Sequence, residues 1–190
     1  MSDGLGVVDQ EPAQNLLKNN KLVFEGLMEK ITEATIHYLK KQIEAGAEVI
    51  KIFDSWAGSL GPNDFVNYSI KPINKIISSL KKMYPKIPII VFPRGANQFY
   101  KGFAKKTGAQ SVAIDQSISL SFMKALQAET CVQGNLDPTL MVNGGKELLD
   151  ATKNIRDKMA EGPHIFNLGH GITPDANPKN VELMLKALRG

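Results

Sequence analysis

His164-Ile165-Phe166-Asn167-Leu168-Gly169-His170-Gly171 is the stretch that decides how this chain folds. The apolar run Ile165 to Leu168 breaks directly into Gly-His-Gly. That is how a buried strand ends in a tight turn, with glycines free to take positive φ. The turn leaves His170 at the lip of a sheet, where an imidazole can bond a ligand. The same event occurs earlier, where Val49-Ile50-Lys51-Ile52-Phe53 runs into Asp54-Ser55-Trp56-Ala57-Gly58. In a parallel barrel, side chains at the carboxyl ends of strands form the active site. Two such ends in one chain point to an enzyme of that architecture.

Strands and helices alternate between and around these two segments. Leu22 to about Ala45 reads as helix, with Phe24, Leu27, Ile31, Ala34, Tyr38 and Leu39 as its inner stripe and Gly46 closing it. Strand one is Val49–Phe53. A helix over 64–84 follows, bent near Pro72, with Ile73, Ile76, Ile77, Leu80 and Met83 facing inward. Ile89–Phe92 is strand two, followed by a short helix over 97–106 that Gly108 ends. Ser111–Ile114 is strand three, with a helix over 120–128 leading to strand four, Cys131–Gln133. An amphipathic helix, Gly145–Met159, precedes strand five, Ile165–Leu168. The last helix runs from Pro178 to Leu188, with Asn177 as N-cap and Pro178 at its first position.

The strand starts at 49 and 165 bracket four intervals of about 29 residues, close to the roughly 30 expected for one βα unit of a (β/α)8 barrel. Five such units cannot close an eight-stranded barrel, and an unclosed parallel sheet has bare edges. The expected fold is therefore α/β: the C-terminal five βα units of a (β/α)8 TIM barrel, with about three units missing. Residues 1–20 read as an irregular N-terminal arm and 21–190 as a partial barrel domain. The rival is a complete five-stranded doubly wound sheet. No glycine-rich phosphate loop follows the first strand, which removes the usual cofactor argument for that rival.

With 190 residues, 43% of them hydrophobic, the chain can bury a sizeable core. It has no apolar run long enough to span a bilayer and no signal-peptide layout at its start. A single cysteine, Cys131, excludes an internal disulfide and the multi-cysteine zinc patterns, and points to a reducing compartment. The net charge of +4 is spread among acids on helix faces, as a solvated surface requires, and would steer an anionic substrate. No nucleic-acid motif is present.

Three strand-end motifs name a family. Ile52-Phe53-Asp54-Ser55-Trp56-Ala57-Gly58, Val132-Gln133-Gly134-Asn135-Leu136-Asp137-Pro138 and Asn167-Leu168-Gly169-His170-Gly171 resemble those of uroporphyrinogen decarboxylase, in that family's order. The resemblance covers about Leu22 to Arg189. It implies a TIM barrel, a cytoplasmic homodimer in the full-length form, and a deep cleft holding a tetrapyrrole. The implied reaction removes carbon dioxide from four acetate side chains, turning uroporphyrinogen III into coproporphyrinogen III in haem synthesis. It uses no metal and no cofactor, because a pyrrole protonated on a ring carbon is the electron sink. Neither nucleic acid nor membrane is an implied partner. The family's arginine-rich segment, its aspartate facing the pyrrole N–H groups and a loop tyrosine have no match in Met1–Asn20. No catalytic residue is therefore assigned here, and the chain is expected to be inactive on its own. Phe92-Pro93-Arg94-Gly95 departs from the family's usual Ala-Lys before Gly, and Gln116 stands where many members have an aromatic.

Three residues are the substrate-binding candidates that the resemblance implies. On spacing alone Ser55 is more often a turn serine bonding its own backbone, and His170 a satisfied structural histidine. The matched motifs make both of them partners of substrate carboxylates, with binding ranked above acid catalysis for His170. Phe53 is either core or a wall against the macrocycle. Asp54 lies one step out of phase with Phe53 and so points away from the cleft, in a supporting role. Asn135 and Asp137 read as a turn cap before Pro138. His164 precedes its strand, at the far end from the active face. His37 and Cys131 are packing residues, and no ligand spacing supports a metal site. Two rivals remain: a non-catalytic fragment or partner subunit of a split enzyme, and a corrinoid methyltransferase-like barrel, which the lone cysteine disfavours.

Overall fold

The computed structural model describes residues 10–190. Helices α1 (Glu11–Asn19) and α2 (Lys21–Glu44) lead into β1 (Ile50–Asp54). The first crossover carries α3 (Pro62–Phe65), a π-helical turn (Val66–Ile70) and α4 (Lys71–Met83), and ends in β2 (Ile89–Pro93). Next come α5 (Phe103–Thr107), β3 (Ser111–Ala113), α6 (Leu120–Gln127) and β4 (Cys131–Gln133). Last are α7 (Leu140–Asn143), α8 (Gly145–Met159), β5 (His164–Ile165) and α9 (Pro178–Arg189). The strands form one parallel sheet in sequence order, β1-β2-β3-β4-β5.

The two faces of this sheet differ, and that difference chooses between the two expected folds. Ile50, Ile52, Ile89, Val91, Val112 and Val132 pack into one core with Ile73, Ile76, Ile77 and Leu80 of α4, Met123 of α6 and Leu148, Ile155 and Met159 of α8. Burying one such aliphatic side chain contributes about 1.5–3 kcal/mol. The opposite face holds a separate small cluster, Ile90, Phe92 and Ala113, all from strands. A doubly wound sheet would carry helices on both faces, whereas a barrel carries them on one. The chain therefore has five βα units in barrel order, with the strand-only face as the concave one.

Pro72 disturbs its helix as expected, but upstream. Lacking an N–H, it cannot donate to the carbonyl four residues back, and the ladder widens to a π-turn over Val66–Ile70. Other expectations are corrected. The polar stretch 1–20 is not irregular throughout: Glu11–Asn19 is helical, with Leu16 and Leu17 half-buried, while residues 1–9 lie outside the described residues. Part of the expected inner face of α2 is open: Leu27, Ile31, Ala34 and Tyr38 are exposed and Phe24 is half-buried, whereas Leu39 is buried as expected and Thr32, outside the expected stripe, is buried too. Thr32 can be buried because its hydroxyl bonds the Met28 carbonyl at 2.7 Å.

β5 is shorter than its apolar run. Ladder pairing stops at Ile165, and Leu168 rejoins through a single bridge to Leu136. His164 lies within β5 rather than before it, and its Nε2 bonds the Gly134 carbonyl at 2.6 Å. Gly169 is required for a reason other than positive φ. A Cβ there would collide with the backbone of Gln116, so the loop after β5 presses directly on the loop after β3. Gly58 and Gly95 meet in the same way: a Cβ on Gly58 would lie 2.5 Å from the Gly95 oxygen.

Candidate functional site

Period-two alternation sends Lys51 and Phe53 of β1 to the concave face, since Ile50 and Ile52 point into the helix-covered core. Phe53 pairs in register with Phe92 of β2, and the rings meet edge to face, 6.1 Å apart at 78°. The Lys51 ammonium lies 4.8 Å from the Phe53 ring centre and 5.3 Å from that of Phe92. It donates to Gln133 Oε1 at 2.6 Å, spanning from β1 to β4.

Above these residues opens a cleft of about 390 Å³. Phe53 and Phe92 of the strands line it together with Asn167 and His170 of the loop after β5. Val181 and Met184 of α9 also line it. That helix is held in place by Asn180, whose amide donates to the Met141 carbonyl at 2.9 Å, and by Asn177, whose backbone N–H donates to the same carbonyl at 3.2 Å. Among the described residues that line it there is no carboxylate, and Lys51 and His170 are the ones with titratable side chains.

The rim loops are tied together by Asp115, buried just past β3. Its Oδ2 accepts from the Tyr100 hydroxyl at 2.7 Å and from Gly95 N–H at 2.9 Å. Its Oδ1 accepts from Ser117 N–H at 2.9 Å and from the Ser117 hydroxyl. Asn135 completes the knot, donating to the Asp115 carbonyl at 2.9 Å and to that of Ile118 at 2.8 Å. Burial pushes the Asp115 carboxyl up, but the bonds from Ser117, Tyr100 and Gly95 outweigh it and hold the group below its ordinary range. Burial, and then the neighbouring Asp115, push the Tyr100 phenol far up, so it stays a donor.

The structure brings Phe53 and His170 to one cleft. Phe53 is 62% exposed, too open for a core residue. Ser55 is exposed in the turn after β1, outside the lining of the cleft. Asp54 points to the opposite face from Phe53. Burial raises its carboxyl above the ordinary value, opposed by Ser69 and the Trp56 backbone at close range, although the Ser69 hydroxyl makes no bond of good geometry. Asp137 caps its turn, accepting from Thr139 N–H at 2.9 Å and from the Thr139 hydroxyl at 2.8 Å. His37 is exposed on α2 and Cys131 is half-buried. Among the described residues no three of His, Cys, Asp and Glu gather to hold a metal ion. No helix among them is long and apolar enough to cross a membrane.

Sequence reasoning passed over Lys51 and Asp115. Lys51 had a signal: a lysine two residues before Phe53 in an apolar strand must share its face. Asp115 was readable only as a turn residue bonding Ser117 two positions on; its tie to the rim depends on Tyr100 and Gly95 from another loop.

The whole chain matches the profile of one family, described as Uroporphyrinogen decarboxylase (URO-D), over residues 1–190. A protein named uroporphyrinogen decarboxylase from Cereibacter sphaeroides (strain ATCC 17029 / ATH 2.4.9) is 53% identical over 192 residues, covering 100% of this chain and 56% of that protein. The protein of the same name from Paracoccus denitrificans (strain Pd 1222) is 53% identical over 191 residues, with the same coverage of 100% and 56%. That from Rhodobacter capsulatus is 50% identical over 191 residues, again covering 100% and 56%. The chain thus spans about 56% of the length of the curated relatives it matches.

Proposed function

Since the chain belongs to the uroporphyrinogen decarboxylase family, we propose that its cleft holds a tetrapyrrole and that it serves a carboxy-lyase acting on uroporphyrinogen. In this reading four acetate side chains of uroporphyrinogen III become methyl groups, giving coproporphyrinogen III. In each step the bond from the methylene to the carboxylate carbon breaks and carbon dioxide leaves. The electron pair passes into a pyrrole ring already protonated on carbon, a proton is added to the exocyclic methylene so formed, and the ring carbon then releases its proton, restoring the pyrrole.

The carrying observation is the composition of the cleft, in which the rings of Phe53 and Phe92 stand together with the side chains of Lys51 and His170. Such a site suits a flat, apolar-bodied polyanion, because the rings offer apolar faces to its body and the ammonium attracts its carboxylates. Phe53 packs against the macrocycle. His170 donates to a substrate carboxylate, and Ser55 meets a side chain at the mouth. The full-length form works as a cytoplasmic homodimer without metal or cofactor.

Titration with uroporphyrin, the stable oxidised form of the substrate skeleton, tests this reading. The chain should quench porphyrin fluorescence at one site, with His170→Ala weakening binding about tenfold, the loss of one charge-assisted bond. Absence of saturable binding, or binding indifferent to both His170→Ala and Phe53→Ala, would remove the cleft from the account.

A further inference from the structure

Lys51 stands apart from the other lysines of the chain. It is half-buried on the concave face, two residues toward the amino end of β1 from Phe53, and it lines the cleft. An ammonium carries three N–H donors. One goes to the neutral Gln133 carbonyl at 2.6 Å, and the charge otherwise meets the faces of Phe53 and Phe92. Among the described residues Lys51 joins no ion pair, and no carboxylate lines the cleft.

A partly desolvated cation without a counter-ion is costly to keep. Burial accordingly lowers the Lys51 pKa. The ring faces recover part of that cost. A ligand anion would recover more, because its oxygens can take the donors that Gln133 does not use.

We propose that Lys51 is a further substrate-binding residue, whose ammonium on the floor of the cleft receives one carboxylate of the ligand while Phe53 and Phe92 flank the ring that bears it. This rests on the cleft being the tetrapyrrole site. Gln133 acts as a positioning residue, holding the Lys51 side chain across the sheet instead of letting it extend into solvent. The aromatic pair and the ammonium together select an acid carried on a flat apolar body over a free small acid.

The test is fluorescence titration of the whole chain with two water-soluble porphyrins, uroporphyrin and a tetracationic one, in wild type, Lys51→Gln and Lys51→Met. Thermal midpoints are measured alongside. Uroporphyrin affinity should fall tenfold or more in both variants, as expected for one lost charge-assisted bond. Affinity for the tetracationic porphyrin should hold or rise. The midpoint of Lys51→Met should not fall, because replacing an uncompensated charge by an apolar side chain offsets the loss of the donor to the buried Gln133 amide oxygen. Uroporphyrin binding within twofold of wild type in Lys51→Gln overturns the role of Lys51 and leaves the cleft reading intact. Equal losses for both porphyrins, or a lower midpoint in both variants, would make Lys51 a structural strut. Absence of uroporphyrin binding to wild type removes the cleft reading and this inference together.

Discussion

Replacing Asp115 by Asn should loosen the rim of the cleft, and the size of the effect follows from its bonds. The carboxylate accepts four hydrogen bonds, two on each oxygen. An amide has one acceptor oxygen and one NH2 group. If NH2 replaces Oδ2, it faces Gly95 N–H; if it replaces Oδ1, it faces Ser117 N–H. Either way one backbone donor loses its acceptor and confronts another donor. An unsatisfied buried donor costs about 1–3 kcal/mol, and the charge-assisted bonds lost add about 1 more. The expected destabilisation is about 2–4 kcal/mol, a large share of the 5–15 kcal/mol typical of a domain.

The assay is urea unfolding followed by fluorescence of Trp56, the single tryptophan of the chain, in the turn after β1. The same variant should change the acid limb of stability. The Asp115 carboxyl is held below its ordinary value of 3.8, so the folded state binds its proton less readily than the unfolded chain does. Its contribution is therefore fully present above that value and is lost as pH falls through the lower folded pKa. Asp115→Asn should be less sensitive to acid than wild type in that window. A loss under about 0.5 kcal/mol, within the range of ordinary surface substitutions, would refute the claim that Asp115 ties the rim together.

Phe53→Ala should weaken uroporphyrin binding about tenfold, the scale of one aromatic contact plus its buried area, with little change in thermal midpoint because Phe53 is 62% exposed. Gly169→Ala should destabilise by about 1–3 kcal/mol in urea titration, since its methyl group meets the Gln116 backbone. His164→Ala should destabilise by about 1 kcal/mol through the lost bond to the Gly134 carbonyl, while sparing porphyrin affinity. Burial lowers the His164 pKa, so its neutral form favours the fold above its ordinary value of 6.5 and that contribution is lost as pH falls below it. Stability of His164→Ala, measured between pH 7 and about 5, should therefore slope less than wild type.

Most of the architecture could be read from residue order, because each strand is a short apolar run bounded by Gly, Pro or polar residues. Cys131–Gln133 and Gly145–Met159 fall where their patterns place them, and Asn177 caps α9 as its position before Pro178 implies. The errors share one cause. Periodicity reports that a helix has an apolar stripe but not what the stripe meets. In α2 the stripe through Leu27, Ile31 and Tyr38 is exposed, and a threonine able to bond its own helix takes a buried position. β5 is short because the ladder depends on partner registry with β4, which the apolar run alone does not encode. The site follows the same division. Phe53 and His170 were legible as strand-end residues, and the cleft lies between them. Asp115 was not, since the Tyr100 and Gly95 groups that make it a tie come from a different loop.

The central claim is that the concave face of this sheet is the tetrapyrrole site. Hydrogen exchange of the chain with and without saturating uroporphyrin tests it most directly. Exchange should slow in peptides spanning 51–55 and 167–172, with α4 on the opposite face unchanged. Slowed exchange confined to α4 and α8, or no change at either strand end, would contradict it.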